Sequence, residues 1–213
     1  LAWLDLLRRA GVFSPASMGH EMGMPQMTSW GPVDAAVTAA MWAVMMAAMM
    51  LPSAAPMLLL FSTVNRKRGT QGTPVVRTGI FLLGYLLVWG SFSLLATGAQ
   101  WGFHSLMLLS PEMTIGNQFV SGLILVAAGV YQFTPLKQAC LIQCQSPFGF
   151  LLTHWREGAG GTLRMGLSHG AYCLGCCWVL MALLFVGGVM NLTWIALIAG
   201  FVLLERVAAR GML

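Results

Sequence analysis

Five long apolar stretches, separated by short polar segments, dominate the pattern of hydrophobic and polar positions along the chain. A helix that crosses a bilayer needs roughly 20 mostly apolar residues, and we place spans at about 35–61, 78–100, 117–134, 167–188 and 191–207. No alternating pattern predicts a barrel, and lipid offers the backbone no hydrogen-bond partners outside a helix. The pattern therefore predicts an all-α, polytopic helical membrane bundle with about five transmembrane helices.

The same pattern predicts a single integral membrane domain over residues 1–213. It consists of an external segment containing methionine and histidine at 1–34, the five-span bundle at 35–207, and a cytoplasmic tail at 208–213. The opening stretch LAWLDLLRRAG is apolar but short and charged. We interpret it as the tail of one more span upstream, with an interfacial helix as the alternative.

Composition and charge agree with a lipid environment and set the orientation of the bundle. The chain is 58% hydrophobic and 8% charged, against about 25% charged in ordinary globular domains. Nine basic residues, Lys137 and Arg206 among them, fall on one side of the predicted spans and two on the other. The positive-inside rule then puts residues 12–33 in the periplasm and the C-terminus in the cytoplasm of a bacterial inner membrane. The net charge of +5 is this topology signal, so we expect the lipid bilayer as a partner and no nucleic acid.

All five cysteines lie in the second half of the chain: Cys140, Cys144, Cys173, Cys176 and Cys177. On a helix His169 and the three later cysteines fall at about 0°, 40°, −20° and 80°, so they share one face. His169 and Cys177 are about 12 Å apart along the axis, too far to bind one ion together. Buried cysteine is often inert filler, but this density with a histidine one turn away favours a metal or redox site. We place Cys140 and Cys144 in a cytoplasmic loop and the others in the inner half of the fourth span.

Methionines form two further groups of candidate soft-metal ligands. The segment MGHEMGMPQM holds Met18, His20, Met22, Met24 and Met27 among glycine and proline, which break regular structure and argue against a packed core. In the first span Met41, Met45 and Met49 lie on one side of a broad thioether wall, although methionine is also a common core filler. Pro52 and Pro56 are expected to kink or loosen this helix near the middle of the membrane.

Thioether, imidazole and thiolate ligands together favour Cu(I), and zinc matches less well because it has little use for methionine. Enzyme signatures are absent: no G-x-S-x-G, no phosphate-binding loop and no H-E-x-x-H occur. We therefore expect a binding protein rather than an enzyme.

The segments MWAVMMAAMMLPSAAP, YQFTPLKQACLIQC, HWREG and GLSHGAYCLGCCWVLMALLFVGGVMNLTW resemble a bacterial family of unknown function, described as predicted metal-binding integral membrane proteins. The resemblance implies a multi-span inner-membrane protein. It also implies metal ligands among Cys140, Cys144, His169, Cys173, Cys176 and Cys177.

These observations predict a membrane protein that binds Cu(I) and moves it or hands it on through methionine, cysteine and histidine ligands. Its expected partners are the metal ion and either a larger membrane complex or a copper chaperone. Two alternatives stay open: a non-catalytic subunit or assembly factor of a membrane metalloenzyme complex, and a membrane thiol oxidoreductase.

Overall fold

A computed structural model describes residues 31–67, 74–106 and 115–208 of the chain. Its elements are α1 Pro32–Lys67, α2 Pro74–Ser105, α3 Gln118–Gln132, α4 Pro135–Gln145, α5 Pro147–His154, α6 Gly158–Ala182, α7 Leu184–Gly187 and α8 Leu192–Ala208. Every element in these ranges is a helix, which confirms the predicted all-α bundle.

Three helical segments are long and apolar enough to cross a membrane: Pro32–Lys67, Val75–Ser105 and Gly158–Gly187. A fourth span results if α3 and α4, which meet at a bend of 63°, are taken as one broken span. The fifth predicted span corresponds to α8, which the structure describes over 17 residues. By length and composition, three to four of the described helical segments could cross a membrane, compared with the about five predicted.

The described helices bear on three local expectations. α1 continues as one helix through Pro52 and Pro56, since membrane helices tolerate proline where neighbours supply hydrogen bonds, and the kink stays a prediction. α6 begins at Gly158 rather than near 167, so its cysteines lie near the middle of a longer helical segment. The expected loop after α3 contains two short helices, each with proline in its first turn.

α2 and α6 approach so closely that their backbones touch. A Cβ added at Gly84 would lie 2.5 Å from the Leu163 carbonyl oxygen and 2.9 Å from the Leu167 nitrogen. A Cβ at Gly166 would overlap the Phe81 carbonyl. Small residues of this kind let membrane helices pack at short distance. This contact brings Tyr85, the next residue on α2, against the buried face of α6.

The C-terminal end of α8 is held by α4 through partly buried polar contacts. Lys137 of α4 forms an ion pair with Glu205 at 2.5 Å, and Gln145 donates to the Glu205 carbonyl at 2.8 Å. The Lys137 side chain is 3% exposed, so a residue expected at the cytoplasmic surface is inside the bundle. These contacts fix the position of the following residue, Arg206.

Candidate metal centre

Four cysteines from two helices meet in the core of the bundle. We call this group the thiol cluster; its members are Cys144 of α4 and Cys173, Cys176 and Cys177 of α6. All four side chains are buried, and Cys144 lies against Cys176. The thiols of Cys176 and Cys177 each donate to the Cys173 carbonyl at 3.0 Å. The shared helix face predicted from the sequence is therefore a buried face.

Cys140 is set apart from the thiol cluster. Its side chain is half-buried, whereas the four cluster cysteines are buried. Its sulfur lies close to α6 at Gly175, where an added Cβ would come within 2.7 Å of it. The glycine leaves room for this sulfur at the edge of the core. Cys140 and Cys144 lie one turn apart on α4, which is a helix and not the predicted loop.

Arg206 reaches from the last turn of α8 into the thiol cluster. Its Nη2 donates to Cys173 Sγ at 2.7 Å and lies 3.7 Å from Cys176 Sγ. Its Nη1 donates to the Ser53 hydroxyl of α1 at 2.9 Å. The side chain is 4% exposed. Sequence reasoning counted Arg206 as a cytoplasmic charge and missed this contact, since a pattern does not reveal which way a long side chain at a helix end extends.

Tyr85 of α2 completes the surroundings of Cys173. Its hydroxyl lies 3.1 Å from Cys173 Sγ and also donates to the Met50 carbonyl of α1 at 3.3 Å. Helices α2 and α8 therefore both contact one sulfur atom of α6, and α1 accepts a hydrogen bond from each of the two contacting side chains. The sequence analysis also missed this residue, because a tyrosine in an apolar span is usually interpreted as a packing residue.

The charge of Arg206 needs a partner, because an isolated charge is costly in an apolar interior. In the described ranges no carboxylate forms an ion pair with it, and its neighbour Glu205 is paired with Lys137. The groups facing the guanidinium are sulfur atoms and a serine hydroxyl. An anion formed on sulfur, either a thiolate or a thiolate-bound metal, is the partner that this arrangement suits.

His169 lies one turn before Cys173 on α6 and is 1% exposed. Neither ring nitrogen has a hydrogen-bond partner among the described residues. Aromatic rings surround it, with centroid distances of 5.9 Å to Phe81, 5.9 Å to Tyr85 and 5.3 Å to Phe150. An unsatisfied buried polar group costs about 1–3 kcal/mol and calls for an explanation. A metal ion bound by one of the two imidazole nitrogens would provide that explanation.

The comparison with protein families agrees with this chemistry. A family model described as a copper chaperone, PpoB2, matches residues 39–213. The chain belongs to the PpoB2 copper chaperone family. The match covers the whole thiol cluster, His169, Tyr85 and Arg206. No curated protein and no solved structure matches the chain.

Membership of a copper chaperone family supports copper handling in general, as the soft ligands predicted. Within residues 31–67, 74–106 and 115–208, no three histidine, cysteine or acidic side chains are placed to hold one metal ion. A structural zinc site, which uses four nitrogen or sulfur ligands, is therefore not formed by these residues as they stand. Pairs of sulfur atoms such as Cys173 and Cys176 are a donor set that suits a soft ion.

The methionines predicted as ligands divide into two groups. Met41, Met45 and Met49 of α1 are buried in the same core cluster as the four cysteines. Core packing alone would explain this burial, so their role as metal ligands stays a prediction. The other group, namely Met18, His20, Met22, Met24 and Met27, lies outside the described residues.

Proposed function

We propose that this protein holds Cu(I) as cargo on the thiol cluster inside a membrane bundle and hands it to another copper-binding protein. The observation that carries the proposal is the contact between a buried guanidinium and two cysteine sulfurs in a chain of a copper chaperone family. Thiolate sulfur is the ligand that best matches a soft ion such as Cu(I). The function is binding and transfer, with no catalysed reaction.

Binding exchanges protons for metal. The thiols of Cys173 and Cys176 each lose a proton as Cu(I) bonds to their sulfurs, and they regain these protons when the ion leaves. Arg206 stays charged throughout and faces both sulfurs. The Tyr85 hydroxyl oxygen lies 3.1 Å from Cys173 Sγ, and the hydroxyl can donate to that sulfur or to the Met50 carbonyl.

Transfer requires a route from the buried cluster to a partner, and α4 offers one. Cys144 lies against Cys176, and one turn away on the same helix Cys140 is half-buried. Sulfur-to-sulfur exchange along α4 would bring Cu(I) from the core to the edge of the bundle. We assign Cys140 the role of the sulfur that meets the partner's ligand. The partner is a second copper-binding protein, either free or part of a membrane metalloenzyme complex.

The test distinguishes copper binding from copper transfer. Full-length protein is purified in detergent under reducing conditions, loaded with Cu(I), and analysed for bound copper and zinc. We expect copper in preference to zinc, and we expect Cys173→Ser with Cys176→Ser to remove most of it. Cys140→Ser is the matched control for binding: it should retain copper but release it more slowly to a soluble Cu(I) chelator.

Each part of the proposal has its own contrary result. A folded double serine variant that keeps its full copper content would mean that the thiol cluster is not the holding site. Rapid release from Cys140→Ser would remove the route along α4 and leave the holding site intact. Protein without copper that cycles a disulfide between cluster cysteines would favour the thiol oxidoreductase instead.

A further inference from the structure

Arg206 makes specific hydrogen bonds inside the bundle, unlike a surface arginine whose side chain only lies against the protein. Its two terminal nitrogens are tied to different helices, one to Cys173 of α6 at 2.7 Å and the other to Ser53 of α1 at 2.9 Å. Glu205, the adjacent acidic residue, is committed to Lys137 of α4. The guanidinium is thus held against the sulfurs, and its positive charge can interact with a thiolate or with a metal ion bound to thiolates.

A count of charges distinguishes the metals that two thiolates can hold here. Two thiolates with a singly charged ion carry a net charge of −1, which Arg206 brings to zero. The same two thiolates with a doubly charged ion are already neutral, and Arg206 then leaves the centre at +1. An unbalanced charge is unfavourable in an apolar interior. Both ions displace the same protons from the same thiols, so the protonation of the empty site cancels in the comparison.

We propose that Arg206 makes the thiol cluster selective for singly charged soft cations, Cu(I) and Ag(I), over doubly charged ones such as Zn(II) and Cd(II). The inference rests on the proposed function, because it takes Cys173 and Cys176 as the ligands. It goes beyond that function by assigning a specificity-determining residue that is not itself a ligand. Softness alone does not separate Cu(I) from Cd(II), since thiolates bind both; the fixed positive charge does.

The expected effect is large because the interaction is short and screened little by solvent. One unit of charge a few ångströms from another changes an equilibrium by on the order of 100-fold at protein-like screening. Side-chain relaxation and detergent will reduce this figure. We therefore expect the ratio of Ag(I) affinity to Cd(II) affinity to fall by at least about tenfold when the charge is removed.

The experiment varies the charge, the shape and the position of the arginine side chain. It uses full-length protein purified in detergent, with Ag(I) and Cd(II) as the probes. Arg206→Met removes the charge at similar side-chain length, and Arg206→Gln replaces it if the methionine variant does not fold. Arg206→Lys keeps the charge. Arg164→Met is the matched control, because Arg164 is exposed on α6 and its loss removes the same unit of net charge.

We expect the affinity ratio to fall in Arg206→Met or Arg206→Gln and to stay close to wild type in Arg206→Lys and Arg164→Met. A ratio unchanged by the neutral variants overturns the inference, as does an equal fall in Arg206→Lys or in Arg164→Met. Wild-type protein that binds neither ion through Cys173 and Cys176 overturns the proposed function instead. The two failures are therefore distinguishable.

Discussion

The backbone contact between α2 and α6 gives a sharp prediction for the substitution Gly84→Ala. The added methyl group would lie 2.5 Å from the Leu163 carbonyl oxygen and 2.9 Å from the Leu167 nitrogen, atoms that cannot rotate away. Ordinary contacts of this kind need about 3.5 Å, so the two helices must separate locally by roughly 1 Å. Overpacking of this sort costs about 1–3 kcal/mol.

The matched control is Gly90→Ala on the same helix, where an added Cβ meets nothing within 4 Å. Both substitutions gain the same helix propensity of about 0.5–1 kcal/mol, so their difference isolates the packing cost. At roughly 2–4 °C per kcal/mol for a chain of this size, Gly84→Ala should unfold about 2–12 °C below Gly90→Ala.

The measurement is thermal unfolding of purified protein in detergent, followed by tryptophan fluorescence, with bound copper determined in parallel. Tyr85 follows Gly84 and holds its hydroxyl 3.1 Å from Cys173 Sγ, so separation of the helices should also lower copper retention. If Gly84→Ala unfolds at or above the temperature of Gly90→Ala, the close approach of the two backbones is wrong.

Three further predictions follow from the buried polar groups. Lys137→Met should destabilise the protein by about 2–3 kcal/mol, because it strips Glu205 of its partner, and adding Glu205→Met should recover part of that loss in thermal unfolding; a harmless single change would contradict the buried pair. His169→Phe should keep or raise the unfolding temperature, since both ring nitrogens lack partners among the described residues, while lowering Cu(I) affinity; a large stability loss with unchanged affinity would refute a ligand role. A membrane-permeant maleimide should modify Cys140 first in native protein and all five thiols after denaturation, as counted by mass spectrometry; early modification of Cys173 would contradict its burial.

Much of the helical framework could be predicted from hydrophobicity alone, because a long apolar run has one stable form in lipid. The missed helices α4 and α5 are short and less regular in pattern, but each carried a signal. Thr134 followed by Pro135, and Ser146 followed by Pro147, are typical of helix starts. The threonine side chain does accept a hydrogen bond from the Lys137 backbone at 3.3 Å.

The sequence predicts the part of the candidate site that lies on one helix, but not the part that depends on contacts between helices. Helical spacing places residues of one helix on a shared face, and so it found His169 and the three cysteines of α6. Contacts between distant helices depend on packing, which spacing does not encode. The link between Cys173 and Arg206 joins positions 33 residues apart, and that with Tyr85 joins positions 88 apart. Copper binding by Met41, Met45 and Met49 stays a prediction, since core packing would bury them equally well.

The guanidinium that faces Cys173 is supplied by a helix that is synthesised later. During translation Cys173 leaves the ribosome 33 residues before Arg206, and at roughly 5–20 residues per second this interval lasts about 2–7 s. For that time the cysteines of α6 exist without their buried cation. A nascent chain would therefore pass through a stage in which its thiols have not yet gained the charge that favours a singly charged ion, and metal capture would become selective only after α8 has been made and has packed against α6.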